Sequence, residues 1–316
     1  MKIVVSEIIW PIGIDLIKQK NWTVVYDPDL WTDNEKLLFE LEDADALIVR
    51  NQTKVDAKMM ETAKQLKVIG RLGVGLDNID LKAASERKVP VIFAKNANAT
   101  SVSEYVISAM LSSNRSLNSA SENVKNGKWN RRRYTGNEIY GKTLGLIGVG
   151  EIGHRVAKHA HMLGLNVLGY DPFITPYEFS VMESGIELVK LQDILIHSNF
   201  ISLHVPLTDK TRNLIDADLM SKMKSTTWII NTSRGGIVNE KDLYKALQNK
   251  TISGAFLDVL EIEPPEKDHP LLGLDNCMIT PHIAGLTEES QNRTSRLVAN
   301  ELIGELEGKV SLCRVK

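Results

Sequence analysis

Three residues in the second half of the chain have the types needed to interconvert a hydroxyl and a carbonyl beside a carboxylate. Arg234 lies in Asn231-Thr232-Ser233-Arg234-Gly235-Gly236, Glu263 precedes Pro264-Pro265, and His282 lies in Pro281-His282-Ile283-Ala284-Gly285. The reaction needs a cation that holds the carboxylate and polarises the carbon–oxygen bond. The planar fork of arginine does so with two parallel hydrogen bonds. It needs a base that titrates near neutrality, which histidine provides. It also needs a carboxylate beside that base, to favour the imidazolium and fix its tautomer. Each residue alone has a plainer reading: a solvated turn arginine, a loop charge, a surface histidine. All three, however, follow strand-like runs, at 228–231, 254–258 and 278–280. Ligands bind open α/β sheets at such strand ends.

A second cluster is Gly148-Val149-Gly150-Glu151-Ile152-Gly153. It follows a strand-like run at 144–147 and opens a helical pattern at 152–163. Asp171 ends the next strand-like run, 166–170, about 20 positions on. That is the context a dinucleotide fingerprint requires. The first glycine permits a tight turn, the second a close approach to the pyrophosphate, and the third close helix–strand packing. The helix N-terminus presents free N–H groups to phosphate. A carboxylate at Asp171 would bind ribose hydroxyls and repel a 2′-phosphate, so NAD is expected rather than NADP. The plainer reading is a glycine turn that only packs a helix on a sheet. Upstream, Gly73-Val74-Gly75-Leu76-Asp77-Asn78 lacks the third glycine. It reads as a backbone loop that comes close to something small.

These residues must be positioned by alternating strands and helices. In the first hundred residues, strands are expected at 3–5, 23–26, 46–49, 68–70 and 91–93. Helices are expected at 34–41, 57–64 and 81–87. One long helix is expected over 100–126, as a spine between domains or subunits. The second series has strands at 144–147, 166–170, 201–204, 228–231, 254–258 and 278–280. Helices are expected at 152–163, 240–247 and 288–307. Such alternation predicts α/β architecture with parallel sheets, in two halves that change over near residue 100. The 316 residues suit about two domains of roughly 100–200 residues. The formal net charge of −2 calls for neither nucleic acid nor an acidic membrane surface. Cys277 and Cys313 have no metal-ligand spacing, so neither a metal nor a disulfide is expected. The N-terminus turns polar within a few residues, and no apolar run nears the roughly 18 residues of a membrane helix. A cytoplasmic protein is expected.

With these motifs in this order, the chain resembles the D-isomer-specific 2-hydroxyacid dehydrogenase family, which includes phosphoglycerate dehydrogenase. The resemblance runs nearly end to end. It covers residues 47–50, 71–80, 98–104, the 148–153 run, 231–236, 257–264 and 281–285. It implies two Rossmann-like, doubly wound domains. A flavodoxin-like substrate domain of 1–98 and 285–316 is interrupted by an NAD domain of 99–284. The active site then falls in the cleft, where closure excludes water, and the helix from residue 100 helps form a homodimer. The resemblance makes Arg234 the residue that binds and polarises the substrate, His282 the acid/base and Glu263 its partner. Glu261 is the rival, but the family places its glutamate directly before proline. Val74 and Gly75 N–H groups would hold the substrate carboxylate, with Arg50 nearby. Gly148, Gly150, Glu151, Ile152, Gly153, Asp171, His204, Val205, Pro206, Thr232, Ser233, Asp258, Ala284 and Gly285 would line the NAD, with Asp258 facing the nicotinamide amide. Two departures concern loop geometry: Lys95-Asn96-Ala97 replaces a stretch that often carries Pro-Gly, and Ser103 replaces a usual alanine. Ending at Lys316, the chain is expected to lack the C-terminal regulatory domain of some phosphoglycerate dehydrogenases.

The acid itself is expected to have three carbons and an anionic C3 group, as in 3-sulfolactate or 3-phosphoglycerate. Runs 71–80 and 134–145 look like the sulfolactate dehydrogenase branch. Arg50, Arg71, Lys95 and the cluster Arg131-Arg132-Arg133 are the cations that could meet that group. The cluster reads equally as a solvated loop, and Trp129 beside it as a dimer-interface residue lining the partner's site. The alternative substrates are glyoxylate, hydroxypyruvate or lactate. In a different class stands an NAD-sensing corepressor-like protein, which can keep the same three residues. A formate dehydrogenase would have a glutamine where this chain has Glu263.

Overall fold

A computed structural model describes residues 1–315. Lys316, the last residue of the expected 285–316 segment, lies outside them. The strands are β1 (Lys2–Val5), β2 (Thr23–Tyr26), β3 (Ala46–Val49), β4 (Val68–Arg71), β5 (Val91–Phe93), β6 (Thr143–Ile147), β7 (Asn166–Tyr170), β8 (Glu187–Leu188), β9 (Phe200–Leu203), β10 (Trp228–Asn231), β11 (Gly254–Leu257) and β12 (Cys277–Ile279). They form two sheets, each parallel throughout. The chain divides into two compact units. One holds residues 1–98 and those from Leu286 onward, the other Ala99–Gly285.

In the first unit the strand order is β2-β1-β3-β4-β5, the flavodoxin-like winding. Ala46–Val49 is fully buried, as a parallel strand covered by helices on both faces must be. One cover is the helix Glu288–Leu306, which packs on the helix Pro11–Lys18 and on β4. Gly70 admits it: a Cβ there would stand 2.8 Å from Val298 Cγ1. Ser295 on the same helix accepts the Trp10 N–H at 3.0 Å.

In the second unit the order is β12-β11-β10-β9-β6-β7-β8. The winding reverses between β6 and β9. That switch point opens the crevice in which doubly wound sheets bind ligands. Because the sheet is parallel, the residues following β6, β7, β9, β10, β11 and β12 all emerge at its carboxyl edge. The glycine run, Asp171, His204, Thr232, Asp258 and His282 are among them.

The long helix expected over 100–126 is two helices, Ala99–Asn114 and Leu117–Lys125. The carbonyl of Asn114 accepts the N–H of Asn137 instead of continuing the ladder. The Asn114 side-chain amide donates back to Met110 O at 3.0 Å. Gly136 lets the loop press in, since a Cβ there would lie 2.1 Å from Asn114 O. The helix Pro11–Lys18 and four short helices or strands between 179 and 221 were not expected from the sequence. Both cysteines are free thiols. Among the described residues, no helix is long and apolar enough to cross a membrane, and no cluster of metal-ligating side chains occurs.

Candidate active site

The glycine run builds an anion cradle. Gly148 adopts φ +94°, and a Cβ on it would meet His204 O at 2.6 Å. Gly153 lies against Gly148, whose carbonyl would be 2.6 Å from a Cβ at 153. At Gly150, between them, a Cβ would meet nothing within 4 Å. The outer glycines thus serve packing, while the middle one faces open space. Gly150 caps the helix Glu151–Met162 with no side-chain hydrogen bond. The helices starting at Asn34, Ala57, Leu81, Ala217, Glu240 and Glu288 are each capped by an Asp, Asn or Thr side chain. The first N–H groups at Gly150 therefore remain for a ligand.

Asp171 closes this turn. Its Oδ2 accepts the Val149 N–H and its Oδ1 the Phe173 N–H, both at 3.0 Å. Each oxygen keeps one acceptor site for a hydroxyl. His204 and Thr232 supply buried polar atoms, Nδ1 and Oγ1, that have no protein partner. Burial pushes the His204 pKa down to about 4, so the ring is neutral near pH 7 and Ser202 Oγ sits 3.0 Å from its Nε2. A bare helix N-terminus, a carboxylate one strand over and two orphaned polar atoms at the same sheet edge fit a dinucleotide. Val205 is half-buried and Pro206 exposed at that edge. Other expected contacts are engaged within the protein. Glu151 pairs with Arg155 at 2.6 Å, Ile152 packs into the core, and Ser233 Oγ donates to Asn231 Oδ1 at 2.7 Å.

Asp258 is held by several internal hydrogen bonds. Its Oδ1 accepts Thr280 Oγ1 (2.6 Å) and the Ile283 N–H (2.8 Å), and its Oδ2 accepts the Ala284 N–H (2.7 Å). Three of about four acceptor sites are filled internally. Burial raises its pKa despite these bonds. Its backbone carbonyl also accepts the His282 N–H. Asp258 thus shapes the 281–285 loop, where Ala284 is buried and Gly285 half-buried.

That loop holds His282 at φ +56°, a left-handed conformation uncommon for residues other than glycine. Its Nδ1 lies 2.8 Å from Glu263 Oε2. A carboxylate only accepts, so Nδ1 carries the proton and Nε2 is the nitrogen left for a substrate. Glu263 Oε1 accepts the Leu260 N–H at 3.0 Å. Burial alone would raise the Glu263 pKa. The His282 bond and charge, the Leu260 N–H and the Arg234 charge outweigh it and hold the carboxyl below its usual range. Arg234 follows β10 in a turn pinned by buried Asn231, whose amide donates to Arg234 O at 2.9 Å. The three residues therefore meet at one sheet edge. Glu261, the rival partner, is exposed, and among the described residues the carboxylate paired with His282 is that of Glu263.

In the first unit, the structure joins the two loops expected to hold a carboxylate. Asn78 Nδ2 donates to Arg50 O (3.2 Å) and Thr53 O (2.7 Å), so the residue that spoiled the upstream glycine pattern is a tether. Among the described residues, the Val74 and Gly75 N–H groups have no acceptor within the protein. The Arg50 guanidinium is half-buried, and its desolvation lowers its pKa against the opposing charge of Glu7. Glu7, which the sequence reading missed, is 3% exposed and accepts the N–H groups of Arg50, Asn51, Gln52 and Thr53 at 2.8–3.0 Å. The departures noted at 95–103 are absorbed locally. Asn96 takes φ +60°, a left-handed conformation, and Ser103 Oγ donates to Thr100 O at 2.7 Å.

Comparison with known proteins agrees with this geometry. The profile described as D-isomer specific 2-hydroxyacid dehydrogenase, NAD binding domain, matches residues 107–284. The chain is 47% identical over 279 residues to a D-3-phosphoglycerate dehydrogenase of Methanocaldococcus jannaschii, covering 88% of this chain and 52% of the relative. It is 40% identical to a hydroxypyruvate reductase of Thermotoga maritima (87% and 89% covered). It is 38% identical to an (S)-sulfolactate dehydrogenase of Chromohalobacter salexigens (90% and 92% covered). An NAD-dependent formate dehydrogenase from Staphylococcus aureus, solved with NAD, superposes with TM-score 0.85 at 27% identity, covering 100% and 99% of the two chains. The chain spans about half the length of the phosphoglycerate dehydrogenase relatives that it matches. The chain belongs to the D-isomer-specific 2-hydroxyacid dehydrogenase family, and residues 107–284 are its NAD-binding domain.

Proposed function

We propose that this protein is an NAD-dependent dehydrogenase that interconverts a small D-2-hydroxy acid and its 2-keto acid. The 2.8 Å contact between His282 Nδ1 and Glu263 Oε2 carries this reading. NAD, when bound, supplies the nicotinamide that accepts the hydride from C2, or returns it. Arg234 holds the substrate carboxylate and polarises the C2 oxygen. His282 Nε2 takes the hydroxyl proton in oxidation and gives it back in reduction. Glu263 stabilises the resulting imidazolium. In the first unit, Arg50 and the Val74 and Gly75 N–H groups are the groups suited to bind a carboxylate. Asp171 binds the adenosine ribose and disfavours NADP.

The substrate we infer has three carbons and an anionic C3 group, 3-sulfolactate or 3-phosphoglycerate. The activities named for two relatives, a D-3-phosphoglycerate dehydrogenase and an (S)-sulfolactate dehydrogenase, support it. A third name, hydroxypyruvate reductase, favours an uncharged C3 group instead. The working form is a homodimer. The helix Leu117–Lys125 has no buried residue, and Leu117, Val124 and the nearby Trp129 expose apolar side chains. Light scattering that gives a monomer mass at assay concentration contradicts this. Steady-state oxidation of NADH with a panel of 2-keto acids tests the activity. With an accepted acid, His282→Ala lowers turnover roughly 10²–10⁴-fold. Near-normal turnover in that variant removes His282 from the mechanism.

A further inference from the structure

A glutamate outside the triad holds the loop that carries Glu263. Glu240 opens the helix Glu240–Gln248, just after Asn239, whose side chain caps it. Its side chain is 13% exposed. Oε1 accepts the backbone N–H of Glu261 at 2.6 Å, two residues before Glu263. Oε2 stands 3.1 Å from Nε2 of His269, and His269 leads into the turn Pro270–Gly273 at the far end of the same loop. Both ends of the 260–269 segment are thus tied to one carboxylate.

The Arg234 turn bears on the same place. A Cβ on Gly235 would lie 1.9 Å from Leu260 O and 2.5 Å from Glu261 N, so backbone rests directly on backbone. Leu260 N–H in turn donates to Glu263 Oε1 at 3.0 Å. A continuous path runs from the Arg234 turn through Gly235, Leu260 and Glu263 to His282. The Glu240–Glu261 bond clamps its middle.

We propose that Glu240 is a positioning residue that sets Glu263 against His282 by holding the Glu261 N–H, with His269 as its hydrogen-bond partner. The proposal rests on reading His282 and Glu263 as acid/base and partner. Glu240 touches none of the reacting groups. Its removal leaves the Glu261 N–H without its acceptor and frees both ends of the segment. A misplacement of about 1 Å at such a site costs on the order of a hundredfold in rate. The charged groups facing His282 are Glu263 and Asp258, and Arg234 faces Glu263. The groups facing Glu240 are the His269 imidazole and the Cys277 thiol, which burial pushes up to about 12 and so keeps neutral.

The test compares the full chain with Glu240→Ala, Glu240→Gln and Glu240→Asp. The first readout is the low-field proton resonance of the His282 Nδ1–H, assigned by its absence in His282→Gln. It needs no substrate. The second is the pH profile of kcat for keto-acid reduction, with the Michaelis constant for NADH measured alongside. In Glu240→Ala the resonance moves upfield or vanishes and kcat falls roughly ten- to a hundredfold. The alkaline limb moves to lower pH, while the constant for NADH stays level. Glu240→Gln keeps an oxygen for the Glu261 N–H and retains the resonance and most of the rate. An unmoved resonance and pH limb in Glu240→Ala overturn the proposal, even if the rate falls. So does a Glu240→Gln variant as damaged as Glu240→Ala. If Glu240→Ala does not fold, Glu240→Asp, whose shorter side chain draws away from Glu261, is held to the same resonance criterion. Failure of the wild-type chain to reduce any keto acid instead overturns the dehydrogenase reading, and the resonance still decides the role of Glu240.

Discussion

His282 Nδ1 and Glu263 Oε2 are 2.8 Å apart, although 19 residues and two strand ends separate them in the chain. The contact fixes which imidazole nitrogen is protonated, and among the described residues the other accepts no hydrogen bond. In the proposed mechanism it ties the acid/base chemistry to the charge on Glu263.

Glu263→Gln therefore has a directional effect. Keto-acid reduction needs the imidazolium, and the carboxylate favours that form. Without its charge, turnover falls about tenfold or more, and the alkaline limb of the reduction profile moves to lower pH. Glu263 itself titrates below its usual range. With a depressed folded-state value, its ionised contacts are complete above the ordinary carboxylate range and are lost as pH falls through that lower value. Profiles of kcat/KM against pH for the two proteins check this. A limb that does not move shows that Glu263 is not the partner.

The glycines separate packing from binding. Gly153→Ala places a methyl 2.6 Å from Gly148 O and destabilises the fold by about 1–3 kcal/mol. Gly150→Ala meets no protein atom and leaves thermal stability within about 0.5 kcal/mol, yet it raises the dissociation constant for NAD. Melting curves and cofactor titrations of the two variants should dissociate in this way. Equal loss of stability in both contradicts the cradle.

Asp171→Ala relaxes the preference for NAD over NADP. It also leaves the Val149 and Phe173 N–H groups without their acceptor, at a cost of about 1–3 kcal/mol if water does not replace it. Asp171→Asn keeps an acceptor oxygen and isolates the charge effect. The ratio of kcat/KM for NADH and NADPH is the measurement. An unchanged ratio in Asp171→Asn removes the charge-repulsion argument.

Glu7→Gln weakens the loop that carries Arg50. An amide has one acceptor oxygen where four N–H groups now converge on two, and its NH₂ opposes the others. The Michaelis constant for the keto acid rises several-fold, while the dissociation constant for NAD in the other unit is unchanged. Equal changes in both constants would point to general unfolding instead.

The sequence was most legible where one local rule decides. The strands at Thr23–Tyr26, Ala46–Val49, Val91–Phe93, Asn166–Tyr170 and Trp228–Asn231 stand where β-branched and apolar runs placed them. The glycine run and Asp171 are a fixed spacing and read directly. The break after Asn114 was not legible, because its cause is Gly136 and Asn137, more than 20 residues on. The helix Pro11–Lys18 was missed because Gly13 weakens its pattern. That glycine answers to Ile9 Cδ1, 2.6 Å from where its Cβ would be, and to Ser295 O on a distant helix. Glu7, Asn78 and Glu240 act through backbone groups brought close only by folding. No spacing in the chain marks them, whereas Arg234, Glu263 and His282 stand beside glycines and prolines that do.

The proposed activity is turnover of a D-2-hydroxy acid with an anionic C3 group. The direct measurement is NADH oxidation by the purified chain with sulfopyruvate, phosphohydroxypyruvate, hydroxypyruvate, glyoxylate and pyruvate, each taken to saturation. The kcat/KM for one of the two acids with an anionic C3 group is expected to exceed that for each of the other three acids by at least about tenfold, which is about 1.4 kcal/mol. Faster turnover of hydroxypyruvate, glyoxylate or pyruvate would contradict the substrate, and turnover of none of the five would contradict the dehydrogenase itself.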